Sequence, residues 1–390
     1  MRWRYQDTVL LLCTGAFFMT MVGRLVISPI VPDVAADLSI SNAVIGVSLT
    51  AMWGSYALVQ FPSGVLADRF GERVVIFVSV VGTGVTTLVI AAAPGLGVFV
   101  LGTLLLGATT GLHYSVATAL LTRSYDDIST AISLHDAGGP LAGLVTPVAI
   151  AWVATAYGWR LAVGLSALLA IPVAVAFWWK IRPTTPRRPD RRMRDQLDSD
   201  RILELLSRPS ILFTAVIAVL LEFTWQGLAS FLPTFLVQYK GYSQTTAGVL
   251  FAVYFVANGA LGVVVGVLSD RFGRDRATAV CMIAGIAGLG TLVAASGLVW
   301  TLAGILLLGF SMGWAGAVFA RFMDHFDAGE RGAGFGMVRT AYMLVAAPGS
   351  VAVGLLSDVF GWAAAMGFLI ALLAFVLVQL TVNSAFDLGY

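Results

Sequence analysis

Three polar side chains spaced by four, Thr20, Arg24 and Ser28, interrupt an apolar run that begins at Thr8. A second set with the same spacing, Glu222, Gln226 and Ser230, interrupts another such run. Steps of four return to one face of an α-helix, so each set reads as a polar stripe. Ionisable groups inside apolar helices are costly and by default mark a pathway or a coupling site. Arg24 suits an anion, because a guanidinium stays charged and forks onto carboxylate or phosphate. Glu222 suits a proton carrier, since burial raises a carboxyl pKa and a nearby arginine lowers it. A substrate competing for Arg24 would raise the proton affinity of Glu222 and couple the two by linkage. Thr20, Ser28 and Ser230 weigh less, because a hydroxyl can bond its own helix backbone.

Fewer signals attach to the other polar groups within apolar runs. Asp136, next to His135, is a candidate for titration or for an inner gate, with helix packing as the alternative. Arg339 is a candidate partner for Asp136 or for a substrate anion. His113 follows Thr109 by four on one face, as a pathway residue or as a satisfied packing residue. Trp225 and Asn258 are preferred over Trp53, Tyr56 and Tyr254 as aromatic and amide contacts to substrate. Asp324, His325, Asp327 and Glu330 crowd one loop, where charge pairing is expected and a metal is not. The chain has no P-loop, no nucleophile elbow and no H-E-x-x-H, so neither an enzyme nor a cofactor is expected.

The elements that must position these residues follow from composition. Hydrophobic residues make up 58% of the 390 and charged residues 11%. Soluble domains run near about 45–50% and 25%. Apolar runs of about 20 residues recur along the chain, which is the signature of membrane-spanning helices. The pattern predicts twelve spans, near 8–32, 43–67, 74–93, 97–121, 129–156, 160–180, 209–236, 244–268, 277–296, 299–320, 332–357 and 362–383. The first run lacks a small-residue cleavage site after a short apolar core and is expected to be retained. Cys13 and Cys281 both fall inside spans, which argues against a disulfide framework.

Basic residues are lopsided. With twelve spans, one side collects Arg2, Arg4, Arg69, Arg73, Arg123, the cluster from Lys180 to Arg208, Arg271, Arg274, Arg276, Arg321 and Arg331. Only Arg160 and Lys240 fall opposite. The positive-inside rule therefore places both termini in the cytoplasm. Nucleic acid is not an expected partner, because the arginines flank spans and form no single basic face. An arginine-rich, lysine-poor composition points to a prokaryote, and hence to the cell membrane. Residues 181–208 are the one long polar segment, a basic cytoplasmic linker whose "SDRILELLS" has the pattern of a short amphipathic helix.

The linker separates an N-terminal six-helix bundle (1–180) from a C-terminal one (209–390), and the two repeat. "GVLADRFG" at 64 returns as "GVLSDRFG" at 266, and "LLLGATTG" at 104 returns as "LLLGFSMG" at 306. The same shift of 202 maps Thr20 on Glu222, Arg24 on Gln226 and Ser28 on Ser230. Gly64 and Gly71 of the repeated loop suit close packing and turning.

The loop "GVLADRFGER" at 64–73 resembles the pattern between spans 2 and 3 of the major facilitator superfamily, and the resemblance covers essentially the whole chain. "GWR" at 158–160 is similar to that family's link between spans 5 and 6. Two family signatures are altered: the span-4 arginine falls on Thr103, and the span-5 "GP" reads "TP" at 146–147. Within the family, "HDAGG" at 135–139 and "GLHYS" at 111–115 are similar to the fosmidomycin-resistance-type exporters.

The resemblance implies an all-α integral membrane protein of twelve transmembrane helices, arranged as two pseudo-symmetric six-helix bundles. It implies a monomeric secondary transporter that moves a small molecule by alternating access, with protons as coupling ion and the bilayer as its surroundings. The stripes would then line the central cavity. A conformational latch is implied for Asp68, Arg69 and Arg73 in one half and for Asp270, Arg271 and Arg276 in the other. Arg24 and Arg339 favour an organic anion, while the exporter-like motif favours drug or metabolite efflux by proton antiport. A transport-inactive receptor or scaffold is the remaining alternative.

Overall fold

The computed structural model describes residues 3–125, 127–186, 199–327 and 333–390. Among them, twelve helices are long and apolar enough to cross a membrane. The first six are α1 (Tyr5–Leu38), α2 (Asn42–Phe70), α3 (Glu72–Ala91), α4 (Leu96–Ser124), α5 (Thr130–Tyr157) and α6 (Trp159–Lys180). The others are α7 (Pro209–Gln238), α8 (Gln244–Phe272), α9 (Arg274–Ala294), α10 (Leu298–His325), α11 (Gly334–Phe360) and α12 (Trp362–Ala385). The protein is thus an all-α bundle of twelve transmembrane helices. It divides into one compact unit of Met1–Ile40 with Ser48–Leu197 and another of Ser41–Val47 with Asp198–Tyr390.

α1 runs furthest past its predicted end. Its regular helix stops at Leu25, a 3-10 turn covers Ser28–Ile30, and helix resumes over Val31–Leu38. Proline lacks the N–H that continues a helix but suits its first turn. Pro29 and Pro32 therefore interrupt the span and restart it. Of the linker, 187–198 lies outside the described residues, as does Glu330 of the acidic loop. The predicted amphipathic stretch forms the short helix Ser199–Ser207.

Close helix approach comes from matched glycines. In the first unit a Cβ on Gly107 of α4 would collide with the Met52 carbonyl oxygen of α2, and one on Gly111 would lie 2.6 Å from that of Tyr56. In the second unit a Cβ on Gly309 of α10 would lie 2.9 Å from the Tyr254 carbonyl oxygen of α8. Small residues let backbones meet where lipid offers no hydrophobic driving force between helices. The tight turns after α2 and α8 also match, with Gly71 at φ 83° and Gly273 at φ 95°. Gly64 departs from the expectation of close packing: a Cβ there would meet nothing within 4 Å. Cys13 and Cys281 are buried free thiols, and the Cys281 thiol donates to the Phe310 carbonyl oxygen at 3.9 Å.

Two breaks matter for chemistry. Helix in α4 pauses between Gly111 and Tyr114, and helix in α5 pauses at Ala137. The first break carries His113 and the second follows Asp136 directly.

Candidate functional site

In the first unit, the α1 stripe is buried, and Arg24 is only 6% exposed. Its Nε donates to the Thr20 carbonyl oxygen (3.4 Å) and its Nη2 lies against the Met21 sulfur. The guanidinium carbon sits 4.2 Å from the Tyr56 ring centre and 5.8 Å from that of Trp53. Among the described residues no carboxylate forms an ion pair with it. Trp53 and Tyr56, ranked below Trp225 and Asn258 in the sequence, are thus the rings that meet this cation. Thr20 donates to the Phe17 carbonyl oxygen, as expected of a hydroxyl on its own helix.

Two turns before Arg24 on α1, at Phe17, the helices α1, α4 and α5 converge on two histidines. His113 Nε2 and His135 Nε2 are 3.2 Å apart, and both side chains are buried. His135 Nδ1 is 3.2 Å from an Asp136 carboxylate oxygen, and the Tyr114 hydroxyl donates to the other oxygen at 3.3 Å. Phe17 of α1 stacks on both imidazoles, with ring centres 5.9 Å from His113 and 4.9 Å from His135. α5 can come this near because residues 138 and 139 are glycines. A Cβ on Gly138 would lie 2.8 Å from the Thr14 carbonyl oxygen, and one on Gly139 would lie 3.3 Å from the Phe17 ring. The motif "HDAGG" thus sets a titratable pair beside the small residues that let it approach α1. Phe17 carried no signal of its own, being an apolar residue in an apolar run.

In the second unit, Gln226 of α7 is buried and donates from Nε2 to Glu222 Oε1 at 3.2 Å, while Glu222 and Trp225 are half-buried. Ser230 sits 2.7 Å from Ser350 of α11, so its hydroxyl ties two helices together. Asn258 of α8 is half-buried, and its amide donates to the Gly309 carbonyl oxygen (3.4 Å) across the glycine contact. Arg339 of α11 lies 5.8 Å from the Phe319 ring centre. Among the described residues, no group of three or more His, Cys, Asp or Glu side chains is placed to hold a metal.

The charged loops pair differently from the simple pattern. Arg73 donates to the Trp178 carbonyl oxygen and stacks over that ring at 4.2 Å. Arg69 and Arg271 lie 5.4 Å from the rings of Phe70 and Phe272. Asp68 is half-buried, and Arg276 is exposed. Asp270 pairs with Arg274 (2.5 Å), which also reaches Asp324 at 3.2 Å. The buried Glu72 pairs with Arg123. Adding 202 to 72 gives 274, so the two units carry the same link between the start of one helix and the end of the next, with its charges reversed. Buried Arg321 bonds Asp275 (2.7 Å), Thr214 and the Tyr390 carbonyl oxygen. The sequence had assigned Arg274 and Arg321 to topology only. The shift of 202 applied to Glu72 was the available signal.

Known proteins bear on this arrangement. A family model described as the Major Facilitator Superfamily matches residues 13–350 and 223–385. The membrane sensor protein UhpC of Salmonella typhimurium is 28% identical over 153 residues, 39% of this chain and 35% of that protein. The chain thus spans about a third of the length of that relative. The transcription regulatory protein OpdE of Pseudomonas aeruginosa is 26% identical over 375 residues, 91% of this chain and 88% of that protein. A crystal structure of the nucleoside transporter NupG superposes with a TM-score of 0.83 over 96% of this chain and 99% of that one. At 12% identity that likeness speaks for the fold alone. With the family model matching along both repeats, this twelve-span membrane protein belongs to the Major Facilitator Superfamily.

Proposed function

We propose that the protein is a secondary transporter that moves a small organic anion across the cell membrane by alternating access, coupled to protons. The observation that carries this reading is Arg24, a buried guanidinium held by aromatic faces and backbone, with no ion-paired carboxylate among the described residues. An anionic solute is the natural counter-charge, with His113, Gln226, Trp225, Asn258 and Arg339 as further contacts. Glu222 and Asp136 are the proton carriers. Asp68, Arg69, Arg73, Asp270, Arg271 and Arg276 belong to inner-face loops that re-pair as the protein changes state. Both termini lie in the cytoplasm, and the protein works as a monomer. The direction follows the exporter-like "HDAGG": efflux of an anionic compound against entering protons.

The test is uptake of a radiolabelled panel of mono- and dicarboxylates and phosphate esters into proteoliposomes, with and without an imposed proton gradient. Gradient-driven accumulation of at least one member, lost in Arg24→Gln, is expected. No movement of any member under either condition would sink the reading. A second reading, a membrane receptor without transport, is favoured by the names of the sensor and regulatory relatives. Under it an anion would quench the fluorescence of Trp53 in an Arg24-dependent way, yet no solute would accumulate.

A further inference from the structure

We infer that His113, His135 and Asp136 form a proton wire through the first unit, with Phe17 as its dry lid. This rests on the proton-coupled reading above and assigns the path within it. An ionised Asp136 can only accept, so His135 must present Nδ1–H to it. A neutral imidazole holds one N–H, which leaves His135 Nε2 bare. The neighbouring His113 must then donate from Nε2–H across the 3.2 Å gap. That in turn leaves His113 Nδ1 bare, and this atom is buried with no partner among the described residues. The three side chains are thus locked in one hydrogen-bond direction, with an open acceptor at one end and a carboxylate at the other.

Such a chain moves a proton without moving an ion. A proton taken by His113 Nδ1 releases the Nε2 proton to His135 Nε2. His135 in turn gives its Nδ1 proton to Asp136. The product is a neutral carboxylic acid and two neutral imidazoles of exchanged tautomer, so each proton gained at one end is matched by one delivered at the other. Asp136, whose side chain is 43% exposed, then loses its proton to water. The two ends differ as a wire requires, since His135 between them is fully buried. Phe17 excludes water from the pair, stacking at 14° and 20° to the two rings. The charged and titratable groups facing the wire are Arg24 from α1, Tyr114 from α4 and Asp136 from α5. An anion bound at Arg24 offsets the guanidinium charge in the same unit, and its departure drives the proton onward along the wire.

The chain has only three histidines, so ¹⁵N-histidine labelling of His325→Gln protein in bilayers leaves the two rings of interest. The expected spectrum has one ring protonated at Nδ1 and the other at Nε2, joined by an N–H···N coupling, with Asp136→Asn abolishing the fixed tautomer of His135. Two rings with independent tautomers and no coupling would overturn the wire. In proteoliposomes, His135→Gln and Asp136→Asn should each lower gradient-driven accumulation of a radiolabelled carboxylate by about tenfold or more. In His135→Gln, exchange of that carboxylate at equal pH on both sides should stay within about twofold, since counter-exchange needs no net proton transfer. Unchanged gradient-driven accumulation in both variants would remove the wire and leave the transporter reading standing. Coupled rings in a protein that moves no carboxylate would do the reverse.

Discussion

Arg24 is held by contacts too weak to account for its place. A cation over an aromatic face gains about 0.5–2 kcal/mol. Withdrawing a charge from water costs several kcal/mol even after relaxation. Tyr56, Trp53 and the Thr20 carbonyl oxygen offset part of that and orient the fork. Under the function proposed above, an arriving carboxylate would supply the remainder. Arg24→Lys is expected to keep the charge but lose the planar fork, weakening carboxylate binding by about tenfold or more. Arg24→Gln is expected to remove saturable binding altogether. The concentration dependence of carboxylate uptake by each variant checks both, and a lysine variant equal to wild type would show that charge alone suffices. Arg24 was legible because a charge in an apolar run stands out. The contact between His113 and His135 was not, since it needs α4 and α5 side by side and glycines at 138 and 139 to admit Phe17.

The helix turns after α2 and α8 are alike in backbone and opposite in charge. Gly71 and Gly273 were readable from the repeated phrase, because only a residue tolerant of positive φ turns the chain there. Which charges pair was not readable, since the partners come from the ends of α4 and α10. Burial now decides how much each pair contributes. The Glu72 side chain is 4% exposed, whereas Arg274 and Asp324 are 28% and 53% exposed. Removing one partner of a buried pair costs about 3–5 kcal/mol, and the partial exposure of Arg123 points to the lower figure. An exposed pair contributes only about 0–1 kcal/mol. Arg123→Gln is therefore expected to lower the thermal midpoint in detergent clearly, while Arg274→Gln stays near wild type. Equal midpoints for the two variants would contradict this ranking.

The whole molecule carries its sidedness in its loops. The twelve spans were legible because each is a run of about 20 apolar residues, and the lipid core tolerates little else. The restart of α1 beyond Pro32 escaped, as the apolar pattern stops where proline permits a new first turn, and α10 runs on to His325 past its expected end. The orientation proposed above from the positive-inside rule puts the loop after α7 outside and the residues after α6 inside. Native cysteines leave this testable without background, since Cys13 and Cys281 are buried. Ser243 opens α8 and Thr185 follows α6, both exposed. In intact cells a membrane-impermeant maleimide should label Ser243→Cys and spare Thr185→Cys, with both labelled after permeabilisation. The opposite pattern would invert the topology and put the proton wire's Asp136 end on the outer face. A proton crossing that wire would then run against the direction that efflux by antiport requires.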